Sequence, residues 1–237
     1  MNLEEAKLKL SKYGQEQILR YYDELSDDEK NALLEQVDKT DMEVLSAIEH
    51  KSELVKKGEI TPLDAMELDE IKANYDTFKN TGVEAIKAGK VGAILLAGGM
   101  GTRLGSDNPK GMYNVGINKE LYIFECLINN LMDVVKETET YIHLFVMTSE
   151  KNNDVTVSFF KENNFKQEMA AATDYDGKIY LEEKGRMATS PNGNGGWYIS
   201  LKKAGLTQVL ENNGIEWLNV FAVDNVLQRI ADPVFIG

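Results

Sequence analysis

The spacing of apolar positions changes character once along this chain. Up to about residue 88 it is helical only. Leu8, Leu10, Tyr13, Ile18, Leu19 and Tyr22 follow a helical period with charged residues between them. Ser26 with Glu29, and Thr40 with Glu43, form capping-box patterns ahead of apolar residues. Thr61 followed by Pro62 predicts another helix start, because the N–H that proline lacks is unused at the first helical position. From Val91 the pattern switches. VGAILLAGG is a short continuous apolar run closed by glycines, as a strand buried on both faces requires. Residues 121–135 predict a helix. Residues 142–147 predict a second buried strand, stopped by Thr148 and Ser149, and residues 155–160 another helix. Residues 178–181 and 217–223 are further strand candidates. Strands alternating with helices predict an α/β fold with a mainly parallel sheet, preceded by a helical segment. The expected division is 1–88 for the helices and 89–237 for the α/β domain.

Composition narrows the partners. Lys and Arg total 26 against 39 Asp and Glu, a net charge of -13. Sequence-independent nucleic-acid binding needs clustered surface cations, so it is not expected. A locally basic phosphate pocket remains compatible with that balance. Cys126 is the only cysteine, which excludes an internal disulfide and fits a reducing cytoplasm. The opening MNLEEAKLKLSKYG has early acids and no apolar core, so a signal peptide is not expected. The most apolar stretch, residues 91–97, is far too short to span a bilayer, and no membrane partner is expected.

The chemistry concentrates after the first strand, in LLAGGMGTRLGSDNPKGMYNVG. Gly98, Gly99, Gly101 and Gly105 allow backbone amides to converge on an anion and a ligand to approach closely. Arg103 and Lys110 add fixed positive charge to the same loop. Two commoner phosphate loops fail on spacing. Counted from Gly99 and Gly101, the third glycine of G-x-G-x-x-G falls on Leu104; counted from Gly105, the second glycine of a P-loop falls on Lys110. A tight turn alone would explain glycines, but not Arg103, Pro109 and Lys110 with them. Asp224 follows an apolar strand candidate. A carboxylate at the C-terminal end of a parallel strand stands where such sheets bind ligands, although a turn or helix-cap acid reads the same way.

This loop resembles the signature of the UDP-sugar pyrophosphorylases, most closely the eukaryotic-type UDP-N-acetylhexosamine branch, through Gly-Thr-Arg-Leu-Gly at 101–105 and Pro-Lys-Gly-Met-Tyr at 109–113. The likeness continues through Asp176-Gly177-Lys178, Pro191-Asn192-Gly193-Asn194-Gly195-Gly196 and Val223-Asp224-Asn225 to Ala231-Asp232-Pro233 and Phe235-Ile236-Gly237. It implies a Rossmann-like nucleotide-diphospho-sugar transferase sheet. It also implies transfer of a uridylyl group from UTP to a sugar 1-phosphate with release of pyrophosphate. The implied sugar is N-acetylglucosamine 1-phosphate. Glucose or galactose 1-phosphate is the nearby alternative, and a non-catalytic nucleotide-binding relative is a third. Arg103, Lys110 and Asp224 are all present, which counts against the last.

Carried over residue by residue, Leu96, Ala97, Gly98 and Gly99 would contact UTP, with Arg103 and Lys110 facing the triphosphate. Gln167 would read uracil, although Ala170-Ala171-Ala172 stands where the family often has a proline. Gly193 would touch the base and Asn194 the sugar, unless the two are a plain turn. Asp224 would hold Mg²⁺, or Mn²⁺, against the phosphates. Family members continue past the last match, so the α/β domain 89–237 is expected to be incomplete at its C-terminus, and the chain is expected either to bind UTP weakly without turnover or to be only the first part of a longer protein. His50 and His143 lack Cys or carboxylate neighbours at metal-ligand spacing, and His143, in an apolar strand, is expected to be structural. Asp27-Asp28-Glu29 reads as a helix start, and Trp197 and Tyr198 as packing residues.

Overall fold

A computed structural model describes residues 1–45, 61–160, 164–166, 169–174, 176–191 and 193–237. Along the chain run α1 (Leu3–Lys12), α2 (Asp27–Lys39), α3 (Leu68–Ala73), α4 (Tyr75–Lys87), β1 (Val91–Leu96) and α5 (Ile123–Thr138). Then come β2 (His143–Thr148), α6 (Asn153–Phe159), β3 (Asn164–Lys166), β4 (Met169–Ala171), β5 (Leu181–Glu183), β6 (Arg186–Met187) and β7 (Thr189–Pro191). The last are α7 (Trp197–Lys203), α8 (Thr207–Asn212), β8 (Trp217–Ala222) and α9 (Pro233–Ile236). Contacts divide them into two compact units. One comprises Met1–Leu63 and Met169–Asn192, the other Asp64–Glu168 and Gly193–Gly237. Residues 64–88 therefore group with the sheet, and 169–192 with the N-terminal helices.

In the sheet unit, four strands lie in the order β3-β2-β1-β8, every pairing parallel. β1 is central and wholly buried, which is why its sequence is an unbroken apolar run. Its side chains alternate between two cores. Val91, Ala93 and Leu95 pack with Phe124, Leu127, Leu131 and Val134 of α5 and Ile86 of α4. Ile94 and Leu96 pack with Phe145 and Met147 of β2, Leu201 of α7 and Leu210 of α8. The result is helix, sheet and helix in three layers, the arrangement that parallel strands and their crossovers demand. Gly82 of α4 fits against the backbone of α9, where a Cβ would meet the carbonyl oxygen of Pro233 at 1.9 Å.

The other unit is built from two stretches far apart in sequence. Ala6, Leu10, Ile18, Leu25, Leu33, Val37 and Met42 share a core with Ile179 and Met187. Two glutamines join the stretches, each using its amide as a strand would use a peptide group. Buried Gln15 donates to Gly177 O at 2.9 Å and accepts from Ile179 N at 2.9 Å. Gln36 donates to Met187 O at 3.0 Å and accepts from Met187 N at 2.8 Å.

Most expected elements are in place, and the Ser26–Glu29 capping box forms with both reciprocal bonds. Three local expectations are corrected. Thr61-Pro62 does not open a helix: residues 61–67 are irregular and α3 begins at Leu68. Leu63 there is 95% exposed, so no burial rewards a helical turn. Thr40 closes α2 instead of opening the next helix, its hydroxyl donating to Gln36 O at 2.7 Å, while Asp41 accepts from Glu43 N at 3.0 Å. The strand expected at 178–181 starts at Leu181, with Ile179 making only an isolated bridge to Thr173. His50 and Gln167 lie outside the described residues.

Candidate active site

The site is assembled at the C-terminal ends of β1 and β8, which are hydrogen-bonded neighbours. β1 delivers Leu96 and Ala97 buried, then turns outward so that Gly98 is half-buried and Gly99 exposed. Ala97 N donates to Met147 O at 2.8 Å, which prolongs the pairing with β2 by one residue before the turn. The glycine loop then closes on itself. Gly101 N donates to Asn108 O at 2.8 Å, Met100 bridges Pro109, and Lys110 N returns to Gly99 O at 3.1 Å. Gly105 has φ +72, a left-handed conformation that ends the 3-10 turn Thr102–Leu104. Arg103 sits exposed on that turn and makes no ion pair among the described residues.

The loop closure brings Lys110 back to the strand end, where its ammonium is ion-paired with Asp224. Asp224 stands in the turn just after β8, and Val223 N donates to Leu96 O at 3.3 Å to hold that turn beside β1. Lys110 is 22% exposed and Asp224 65%. A pair this open gains little net stability, because water screens it. Both groups can therefore exchange each other for a ligand at small cost. Gly111 fixes the segment from beneath. A Cβ there would meet the ring of Phe124 at 2.0 Å, and that ring is wholly buried against Phe159 and Phe160. Only glycine allows the backbone carrying Lys110 to lie on that aromatic floor.

Gly193 and Asn194 open a second loop at the start of α7. Gly193 has φ +73, Asn194–Gly196 is a 3-10 turn, and buried Gly196 leads into the helix. The strands are parallel and α7 lies on the connection into β8. Leu201 of that helix packs in the core beneath β1. Trp197 packs into the core beneath, whereas Tyr198 is 53% exposed and only edges Trp197, so the second of the two expected packing residues faces solvent. His143 packs in β2 over Phe145.

The family model described as UTP–glucose-1-phosphate uridylyltransferase matches residues 34–237. The chain belongs to that family. Among relatives of this uridylyltransferase-family chain, the mouse protein named UDP-N-acetylhexosamine pyrophosphorylase-like protein 1 is 32% identical over 98% of this chain and 52% of its own length. The yeast UDP-N-acetylglucosamine pyrophosphorylase is 36% identical over 76% of this chain and 41% of its own. The crystal structure of the Trypanosoma brucei uridine diphosphate N-acetylglucosamine pyrophosphorylase in complex with inhibitor superposes with a TM-score of 0.78 at 27% identity, covering 98% of this chain and 53% of that one. The chain thus spans about half the length of the curated relatives it matches.

Two site residues of this uridylyltransferase-family chain were not legible beforehand. Gly111 lies within the quoted motif, but its reason is the ring of Phe124, which only the fold brings there. Asn152 follows β2 with nothing in its neighbours to mark it, yet its carboxamide reaches the glycine loop. Among the described residues, no three His, Cys, Asp or Glu side chains converge as a metal site, and no helix is long and apolar enough to cross a membrane.

Proposed function

We propose that this chain carries the nucleotide-binding half of a uridylyltransferase that joins UTP to a sugar 1-phosphate and releases pyrophosphate, on a Rossmann-like sheet. The observation that carries the reading is Lys110 paired with Asp224 beside an open glycine turn, at the C-terminal ends of adjacent parallel strands. In this reading residues 89–237 do the nucleotide binding and residues 1–88 serve as a helical segment. Leu96, Ala97, Gly98 and Gly99 present backbone to the nucleoside, with Gln167 and Gly193 at the base and Asn194 at the sugar. A phosphate oxygen of the sugar 1-phosphate attacks the α-phosphorus of UTP. The new P–O bond forms as the bond to the β-phosphate oxygen breaks, and pyrophosphate leaves. Negative charge grows on the α-phosphoryl oxygens and the leaving group. Lys110, held at the strand end, and Arg103, exposed on the same loop, stabilise it more in the transition state than in the ground state.

A divalent cation fits this donor set. Mg²⁺ is commonly held by one or two carboxylates together with substrate phosphates, and Asp224 supplies one carboxylate within reach of the loop. Mg²⁺, or Mn²⁺, would neutralise charge on the triphosphate when bound. Asp224 would hold the cation, and Lys110 would be left facing the phosphates. The lone Cys126 and the acidic composition are in keeping with a cytoplasmic enzyme whose partners are UTP and a sugar phosphate.

The names of the mouse and yeast relatives favour N-acetylglucosamine 1-phosphate as the acceptor. The description of the matching family favours glucose 1-phosphate as the second reading. Pyrophosphate release from UTP and Mg²⁺ by the complete enzyme of which this chain would be one half, measured across a panel of sugar 1-phosphates, decides between them. Preference for N-acetylglucosamine 1-phosphate is the expected result. Preference for glucose or galactose 1-phosphate would change the sugar and keep the reaction. UTP binding with no release for any sugar would leave a non-catalytic nucleotide binder.

A further inference from the structure

We propose that Asn152 is a positioning residue for the nucleotide, one that sets the direction of the peptide groups in the glycine turn. Asn152 is 1% exposed, and its side chain makes no bond to the start of α6, the helix it precedes. It is committed instead to two other backbones. Its Oδ1 accepts from Ser149 N at 2.8 Å, and its Nδ2 donates to Ala97 O at 2.9 Å and to Gly99 O at 3.4 Å. The orientation of the amide is fixed by these partners. An N–H must face the oxygen and carbonyls must face the nitrogen, so no flipped arrangement satisfies them.

The consequence follows from peptide geometry. In a planar trans peptide the C=O and the following N–H point in opposite directions. Drawing Ala97 O towards Asn152 turns the N–H of Gly98 away from it, towards the open side where Gly99 is exposed. Drawing Gly99 O the same way turns out the N–H of Met100. Glycines have little preference of their own in such a turn, so their direction must be imposed by a partner. With the peptide between Ala97 and Gly98 reversed, a carbonyl oxygen would face the ligand and repel an anion. Gly99 O also accepts from Lys110 N at 3.1 Å, so Asn152 grips the carbonyl that positions the backbone of Lys110. One buried amide thus links the end of β2, the glycine turn and the cationic segment.

This inference rests on the reading that Gly98 and Gly99 meet UTP, and its test separates the two. UTP affinity is measured by calorimetry for the wild type, Asn152→Ala and Asn152→Ser. Hydrogen exchange at the amides of Lys110 and Ala97 is followed in all three. Asn152→Ser keeps a polar hydroxyl at this buried position and loses less hydrogen bonding than alanine, so it is the variant read where the alanine variant does not fold. Expected are UTP affinity weakened about tenfold or more, the usual scale for stranding a buried carbonyl, and faster exchange at Lys110. Exchange at Ala97, bonded to Met147, should hold steady. In turnover of the complete enzyme, KM for UTP should rise more than kcat falls. A wild type that binds UTP beside variants that bind it equally well would overturn the role of Asn152. A wild type that does not bind UTP would overturn the nucleotide reading itself and, with it, nucleotide positioning by Asn152. Unchanged exchange at Lys110 would in either case remove the clamp on the loop.

Discussion

At Lys110 and Asp224 the geometry asks two side chains to do different work from one ion pair. In the proposed reaction Lys110 faces charge that exists mainly in the transition state, so in the complete enzyme Lys110→Ala should lower kcat about 100-fold or more, the scale of losing one preplaced donor. The dissociation constant for UTP should change far less. Turnover assays of the complete enzyme beside direct UTP titration check this, and near wild-type kcat would remove Lys110 from catalysis. Asp224→Asn should act through the cation instead. It deletes a hard anionic ligand, so the Mg²⁺ concentration needed for half-maximal rate should rise. A Mg²⁺ titration of the variant that overlays the wild type would exclude Asp224 from metal binding. Both residues could be picked out from the chain alone, because a cation in a glycine loop and an acid after an apolar strand carry their chemistry in their identity. Asn152 could not. A buried asparagine and an exposed one look alike in sequence, and only the fold supplies Ala97 O and Gly99 O as partners.

Among the elements, legibility followed burial and length. β1 is readable because it is covered on both faces, and α5 because sixteen residues repeat the helical pattern over several turns. β4 to β7 are two or three residues each, too short to show a period, and their pairing is set by contacts rather than by local preference. The helices of the sheet unit are also tied together by charge. Glu137 of α5 meets Lys79 of α4 at 2.7 Å and is bonded to Arg229, which itself reaches Asp232 at 2.9 Å. The hydrogen bond from Lys79, joined by that from Arg229, holds the Glu137 carboxyl below its usual 4.5. A carboxylate whose folded value is depressed adds stability that is present above the unfolded value and lost as pH falls through the folded one. Glu137→Gln should therefore lower Tm at pH 7 by about 2–4 °C, for a network worth about 1 kcal/mol. The gap between variant and wild type should start to narrow as pH falls through 4.5 and close only below the depressed folded value, where the wild-type carboxyl is protonated in the folded protein as well. Melting curves of both proteins from pH 7 to pH 3 check this. A gap that stays constant across that range would show that Glu137 acts through packing and not through charge.

For the molecule as a whole, the least legible fact was which stretches of chain belong together. Periodicity describes neighbours, whereas the helical unit is made by Gln15 meeting residues 162 and 164 positions away and Gln36 meeting one 151 positions away. Glutamine is ordinarily a surface residue, and nothing local distinguishes one that reads a distant backbone. Here each amide supplies both a donor and an acceptor to a single short strand or turn. Those segments are too short to satisfy their own peptide groups. Gln36→Ala would leave Met187 N and Met187 O without that partner, at a cost of about 1–3 kcal/mol for stranding buried backbone groups. The expected outcome is a lower urea midpoint, with faster hydrogen exchange at Met187 and at the neighbouring amide of Ala188, which is bonded to Tyr180 O. Exchange at the amides of β1 should not change, because their partners lie in the four-stranded sheet. Exchange that quickens equally in β1 and at Met187 would show that Gln36 supports global stability only. An unchanged urea midpoint would show that the backbone of Met187 needs no partner from α2.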